Sequence, residues 1–248
     1  MNTNGAGMRG RKKNCGGIIL TDSWDTLNQQ IITCRACPRL VEWREQVARE
    51  KRRAYQDWDY WGKPVPGFGD IHGRLWLVGL APGAHGSNRT GRMFTGDSSG
   101  DTLYTALYRA GFASQPTTRR RGDGLTLTDA FVTAVGRCAP PANKPTPAEL
   151  NNCRPFLQRE WALMPQVQVL VALGQIAFDR LQRMLRDDGW DVPRAKFGHA
   201  VHASLHGPAG RRVQLLGSYH PSRQNTQTGR LTQTMLDDVF ALARSLLT

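Results

Sequence analysis

Within nineteen positions the segment Gly79 to Asp97 gathers two arginines (Arg89, Arg92), a histidine (His85), an aromatic ring (Phe94) and a carboxylate (Asp97) among five glycines. Gly79, Gly83, Gly86 and Gly91 imply a backbone that turns sharply or approaches a ligand closely, because glycine alone has no Cβ to prevent it. Glycine alone would suit an ordinary surface loop, but the added cations, ring and carboxylate suit a phosphate-bearing aromatic ligand. No Gly-Lys-Ser/Thr follows and the spacing is not G-x-G-x-x-G, so neither a Walker A loop nor a dinucleotide fingerprint is present.

Two further stretches carry chemistry. Arg137-Cys138-Ala-Pro-Pro-Ala-Asn143 ends a second apolar run, and Tyr219-His220-Pro221-Ser222-Arg223-Gln-Asn225 ends a fourth. Four thiols fall in two pairs, Cys34-x2-Cys37 and Cys138-x14-Cys153. The spacing suits tetrahedral sulfur ligation, by structural zinc or by an iron–sulfur cluster, and leaves these two open. Unligated core cysteines are the third reading. No histidine adjoins a cysteine, so none is placed as a nucleophile.

The elements that must position these residues are legible from periodicity. Leu75–Val78, Ala130–Val135, Val167–Leu173 and Val213–Leu216 read as buried strands. Between and around them lie helices over about 21–33, 40–54 and 101–110, one opening at Thr146-Pro147-Ala-Glu149 with a capping box, one after Gly174-Gln175, and a final amphipathic helix marked by Leu231, Met235, Val239, Leu242 and Leu246. Alternating strands and helices imply α/β architecture, a parallel sheet covered on both faces and joined by right-handed crossovers. Ligands bind outside the carboxyl ends of such strands. That edge collects Gly79 to Asp97, Arg137 to Asn143, Gly174-Gln175 and His220 to Asn225.

The 248 residues suffice for one domain with a sizeable core. Residues 1–20, basic and without an apolar core segment, read as a disordered tail rather than a signal peptide, and 21–248 as the domain. Lys+Arg of 33 against Asp+Glu of 20 gives a net charge of +13, which favours polyanions without naming an activity. No apolar stretch approaches a membrane span. Five cysteines, Cys15 included, in a composition of this kind argue against a disulfide scaffold.

Gly-Leu-Ala-Pro-Gly with Asn-Arg-Thr-Gly-Arg-Met-Phe-Thr-Gly-Asp, Arg-Cys-Ala-Pro-Pro-Ala-Asn-Lys-Pro-Thr-Pro, the four cysteines and His-Pro-Ser, in this order over about residues 22–247, resemble the family 5 (type b) uracil-DNA glycosylases. The resemblance implies a three-layer α/β/α fold with a central four-stranded parallel sheet. It implies a [4Fe-4S] cluster on Cys34, Cys37, Cys138 and Cys153, and hydrolysis of the N-glycosidic bond of uracil and other deaminated bases such as hypoxanthine, leaving an abasic site. In that frame Asp97, Asn143 and His220 are the catalytic set. Leu80, Ala81, Gly83, His85, Phe94 and Ala134 meet the base, and Arg89, Arg92, Ser222 and Arg223 meet phosphates. Leu80 and Ala81 stand where related families carry a polar water-activating residue, and Ala134 stands where other branches carry an asparagine that reads uracil, so broader base specificity is expected. The implied partners are double- and single-stranded DNA, the implied state a monomer, and the implied setting the cytoplasm in association with the nucleoid. A non-catalytic iron–sulfur DNA-binding or electron-transfer module is the competing class.

Overall fold

The structure is a computed structural model that describes residues 23–247. The tail expected at 1–20, with Cys15, lies outside them. Strand β2 (Leu75–Gly79) is buried at every position. Its alternation feeds two core layers, Leu75 and Leu77 on one face and Trp76 and Val78 on the other.

Around it β3 (Ala130–Ala134), β4 (Val169–Leu173) and β6 (Arg212–Ser218) complete a parallel core in the order β3-β2-β4-β6. This is the four-stranded sheet expected. The structure adds two antiparallel edges, β1 (Phe68–Gly69) beside β3 and β5 (His202–His206) beside β6. Neither has a strand signature: β1 is two residues in a Pro/Gly-rich loop, and β5 exposes both of its histidines and buries only Leu205. An edge strand needs only one hydrogen-bonded neighbour and no second apolar face, so its sequence is free to be polar.

One face of the sheet is covered by α4 (Ser98–Arg109) and α8 (Gln233–Ser245), through Leu103, Leu107, Leu236 and Phe240. The other is covered by α5 (Pro147–Leu163) and α6 (Gln175–Asp187), through Leu157, Trp161, Phe178 and Leu181. Helices α1 (Trp24–Thr33) and α2 (Pro38–Glu50) lie at the end where Cys34 and Cys37 sit between them. The capping box of α5 is present: Glu149 N–H donates to Thr146 Oγ1 at 3.2 Å and Thr146 N–H to Glu149 Oε2 at 2.7 Å. The buried face of α8 is rotated from the expected stripe, with Leu236, Val239, Phe240 and Ala243 inward and Met235, Leu242 and Leu246 only partly covered. Phe240, the largest side chain on this helix, claims the core and turns it. Among the described residues no helix is long and apolar enough to cross a membrane.

Candidate active site

The loop after β2 leaves the sheet beside the end of β3, where Gly79 pairs with Ala134. It is tied down along its length. Gly136 N–H donates to the Leu80 carbonyl at 2.9 Å and Asn88 N–H to the Gly83 carbonyl at 3.0 Å, before a short helix α3 (Ser87–Thr90) ends on left-handed Gly91. The amides of Ala81 and Gly83 donate to no acceptor among the described residues. Both residues are partly buried, and these two amides are free to donate.

Asp97 caps α4. Its Oδ1 accepts from Ser99 N–H at 3.1 Å and Gly100 N–H at 3.2 Å. Its Oδ2 accepts no hydrogen bond among the described residues and lies against the loop backbone, so close that a Cβ on Gly86 would come within 1.9 Å of it. Gly86 is therefore glycine for proximity. Burial raises the Asp97 carboxyl above its usual range, outweighing the two helix amides that oppose the shift. One oxygen is structural and the other is held, poorly solvated, facing Gly83 and Gly86.

His220 follows β6. Burial pushes its imidazole down to about 4, so the ring is neutral near pH 7 and carries one N–H to donate. Asn225 Nδ2 donates to the His220 carbonyl at 2.8 Å, fixing the turn into α7 (Arg223–Gln227), which Ser222 Oγ caps. The Phe94 and His220 rings lie 5.7 Å apart and 30° from parallel. Phe94 holds φ 50°, and its ring packs on Gly79, where a Cβ would come within 2.6 Å of Cζ. A phenylalanine in the left-handed region is strained unless its surroundings demand it. Here the strain delivers a ring to the strand end.

The structure brings Leu80, Ala81, Gly83, Phe94, Asp97, Ala134 and His220 to one edge of the sheet, as expected. His85, on the same loop, is turned to Tyr60, whose hydroxyl is 3.1 Å from Nδ1, and burial lowers its pKa. Asn143 sits on an exposed turn with φ 56° and makes no side-chain hydrogen bond among the described residues, so its side chain is not joined to Asp97 or His220.

Two expectations are corrected. Arg89 and Arg92 are 3 % and 5 % exposed and do not face solvent where a phosphate could reach them. Arg89 donates to the His85 and Gly96 carbonyls, each at 2.7 Å, and lies against both the Tyr55 and Trp58 rings, at 3.9 and 4.0 Å from their centroids. Arg92 forms a bidentate pair with Asp123, at 2.8 Å on both nitrogens. Both hold the loop in shape. Arg223, by contrast, is exposed and unpaired among the described residues. Beside His220 runs a groove of about 360 Å³ that also touches Leu80, Ile176, Tyr219 and Arg230. Ile176 is 44 % exposed and Arg230 stacks at 4.6 Å on Tyr219. Neither belongs to a recognisable motif; only the fold puts them there.

Cys34, Cys37, Cys138 and Cys153 are free and line a single small cavity with Arg137, Asn152 and Phe156. Burial pushes the Cys138 thiol up to about 12 and raises that of Cys153. Arg44 donates to Cys138 Sγ at 3.0 Å and Asn152 to Cys37 Sγ at 3.4 Å. Among the described residues no three Cys, His, Asp or Glu side chains stand close enough together to hold a single metal ion.

Residues 66–244 match the uracil DNA glycosylase superfamily. Over 221 residues the chain is 53 % identical to the type-5 uracil-DNA glycosylase of Mycobacterium bovis, covering 89 % of this chain and 80 % of that protein. The type-5 uracil-DNA glycosylases of Thermus thermophilus and Pyrobaculum aerophilum are 52 % and 42 % identical, over 88 % and 89 % of this chain and 95 % and 92 % of their own. Those alignments and the superfamily match together span the strands, the Asp97 loop and the His220 turn, and the chain belongs to the uracil-DNA glycosylase superfamily, among its type-5 members.

Proposed function

We propose that the protein is a monofunctional uracil-DNA glycosylase that excises uracil by hydrolysing the N-glycosidic bond and leaves an abasic site for base excision repair. The observation that carries this is Asp97: a carboxylate with one oxygen fixed by a helix and the other held free, at a strand end where a neutral histidine and an aromatic ring meet.

The target atom is hidden in stacked duplex, so the nucleotide must be flipped out. Phe94 offers its face to the extruded base, and the amides of Ala81 and Gly83 donate to its edge. As the bond to C1′ breaks, negative charge grows on the base and positive charge on the sugar. Neutral His220 donates to the base carbonyl where that charge appears, a contribution on the order of 10² to 10³ in rate. The Asp97 oxygen facing Gly83 and Gly86 orients the attacking water and stabilises the cationic sugar. Arg223, with Ser222 at the start of α7, supports the strand's phosphates, which position the substrate without specifying it.

Ala134 cannot hydrogen-bond a base edge, so the pocket has no side-chain test for uracil at that position. This supports excision of hypoxanthine and other deaminated bases. The four cysteines are read as ligands of a [4Fe-4S] cluster. An all-sulfur donor set spread around one cavity, with two N–H donors on its sulfurs, suits a polynuclear cluster better than one ion. Cys34 and Cys37 at the α1–α2 junction, Cys138 after β3 and Cys153 on α5 would hold the cluster, which would serve to tie these segments together.

Duplex and single-stranded oligonucleotides bearing one uracil or one hypoxanthine, incubated with the protein and then treated with hot alkali, test the reading. Cleavage at uracil in both forms, and at hypoxanthine, is expected. Binding without alkali-labile product would leave a non-catalytic iron–sulfur DNA-binding module.

A further inference from the structure

Arg44 lies in the buried stripe of α2, 2 % exposed. One terminal nitrogen donates to Cys138 Sγ at 3.0 Å, and both lie 3.3 Å from the Cys34 carbonyl. Among the described residues its Nε reaches no acceptor. The one carboxylate within 4 Å among the described residues is Glu45, at 3.8 Å, which Arg35 already engages at 2.6 Å.

Among the described residues, Arg89 and Arg137 also have nitrogens that reach no acceptor, so what marks Arg44 is that its partners are sulfur and the carbonyl of a cysteine. Arg92 has Asp123, Arg137 has Glu160, and Arg89 has two carbonyls and two aromatic faces. Arg44 is a desolvated cation aimed at sulfur, and negative charge on that sulfur would compensate its burial. Sulfur ligands of a bound centre would supply that charge.

We infer that Arg44 is the counter-cation of the thiolate-ligated centre: it holds the centre's negative charge in the interior and sets its reduction potential. The inference rests on the cluster reading above. Positive charge and N–H···S bonds beside a cluster favour its more negative, reduced form and so raise the potential. Asn152, a neutral donor to Cys37 Sγ, does the same to a smaller degree. Arg44 is a positioning residue, remote from the reacting bond. Its carbonyl accepts from Asn88 Nδ2 at 3.2 Å, so the same residue joins the sulfur cavity to the loop that carries Asp97.

The test compares the purified wild-type protein with Arg44→Lys, Arg44→Met, Arg44→Gln and Asn152→Ala, reading iron and acid-labile sulfide per chain and the midpoint potential of the bound centre. Arg44→Met should lose iron several-fold. In the fraction still loaded, its potential should fall by at least tenfold in the reduction equilibrium, about 59 mV for a one-electron couple. Arg44→Lys should recover most of both, and Asn152→Ala should shift the potential less. Arg44→Gln keeps a donor without the charge and should resemble Arg44→Met, which preserves the comparison if the methionine variant is insoluble. Wild-type iron content and potential in Arg44→Met or Arg44→Gln would overturn the role of Arg44. A wild-type protein without iron or sulfide would instead overturn the cluster reading.

Discussion

At Arg89 and Arg92 the same residue type that binds phosphate elsewhere is spent inside the protein. Arg89→Lys cannot reproduce the guanidinium's contacts with the Tyr55 and Trp58 rings or span two carbonyls, and loss of a desolvated cation–π contact is worth about 2 kcal/mol. The variant should melt earlier and excise more slowly. Its affinity for uncleavable DNA should keep the wild-type salt dependence, since losing a phosphate contact would reduce the salt slope by about 1. His220 makes the opposite case, a residue whose ordinary chemistry is altered by burial. Its folded pKa, about 4, lies below the ordinary 6.5, so the unfolded chain binds the proton first. The stability this contributes is present above pH 6.5 and is lost as pH falls toward 4. His220→Gln should flatten the decline in melting temperature across that window, and should slow excision at pH 7 by about 10² to 10³.

The sheet edge was readable in the amino-acid sequence, because the segments that carry Phe94 and Asp97 and that carry His220 each follow an apolar run, while the roles of these three residues came from the resemblance. What was not readable was whether a charge faces out. Arg92 finds Asp123 thirty-one residues away, and no local pattern announces that meeting.

Elements show the same division. The four parallel strands and the α5 cap were legible because burial on both faces enforces continuous apolar runs, and a capping box is a local pattern. The edges β1 and β5 left no such trace, and the rotation of α8, with Phe240 inward, follows from its packing on α4 and β6 together. The loop between β2 and α4 works as an element in its own right, closed at its start by Gly79 under Phe94 and at its end by Asp97 over Gly86. Gly86 has φ −97°, outside the left-handed region that favours glycine, so its requirement is space. Gly86→Ala must push Asp97 away from the loop. Excision should be lost with the circular dichroism of the fold retained and a stability cost of about 1–3 kcal/mol, read by denaturant unfolding.

The whole molecule adds a net charge of +13. With Arg89 and Arg92 withdrawn from the surface, attraction to DNA is spread over many exposed cations, Arg223 and Arg230 among them, instead of being concentrated in the catalytic loop. Binding to undamaged duplex should therefore weaken linearly in log affinity against log salt, with a slope of about −0.9 for each phosphate neutralised. Arg223→Ala should reduce that slope while the single-turnover excision rate at saturating enzyme stays near that of the wild type. A change of excision rate without a change of slope would place Arg223 in the pocket instead.

The most direct measurement is the single-turnover rate of uracil excision by Asp97→Asn, with its melting temperature taken alongside. Asparagine keeps the oxygen that caps α4 and removes a carboxylate whose raised pKa means that its ionised form costs the fold stability at neutral pH. Excision should fall by at least about 10² while the melting temperature holds or rises. Excision at the wild-type rate in a well-folded Asp97→Asn protein would contradict the account, leaving Asp97 as a helix cap alone.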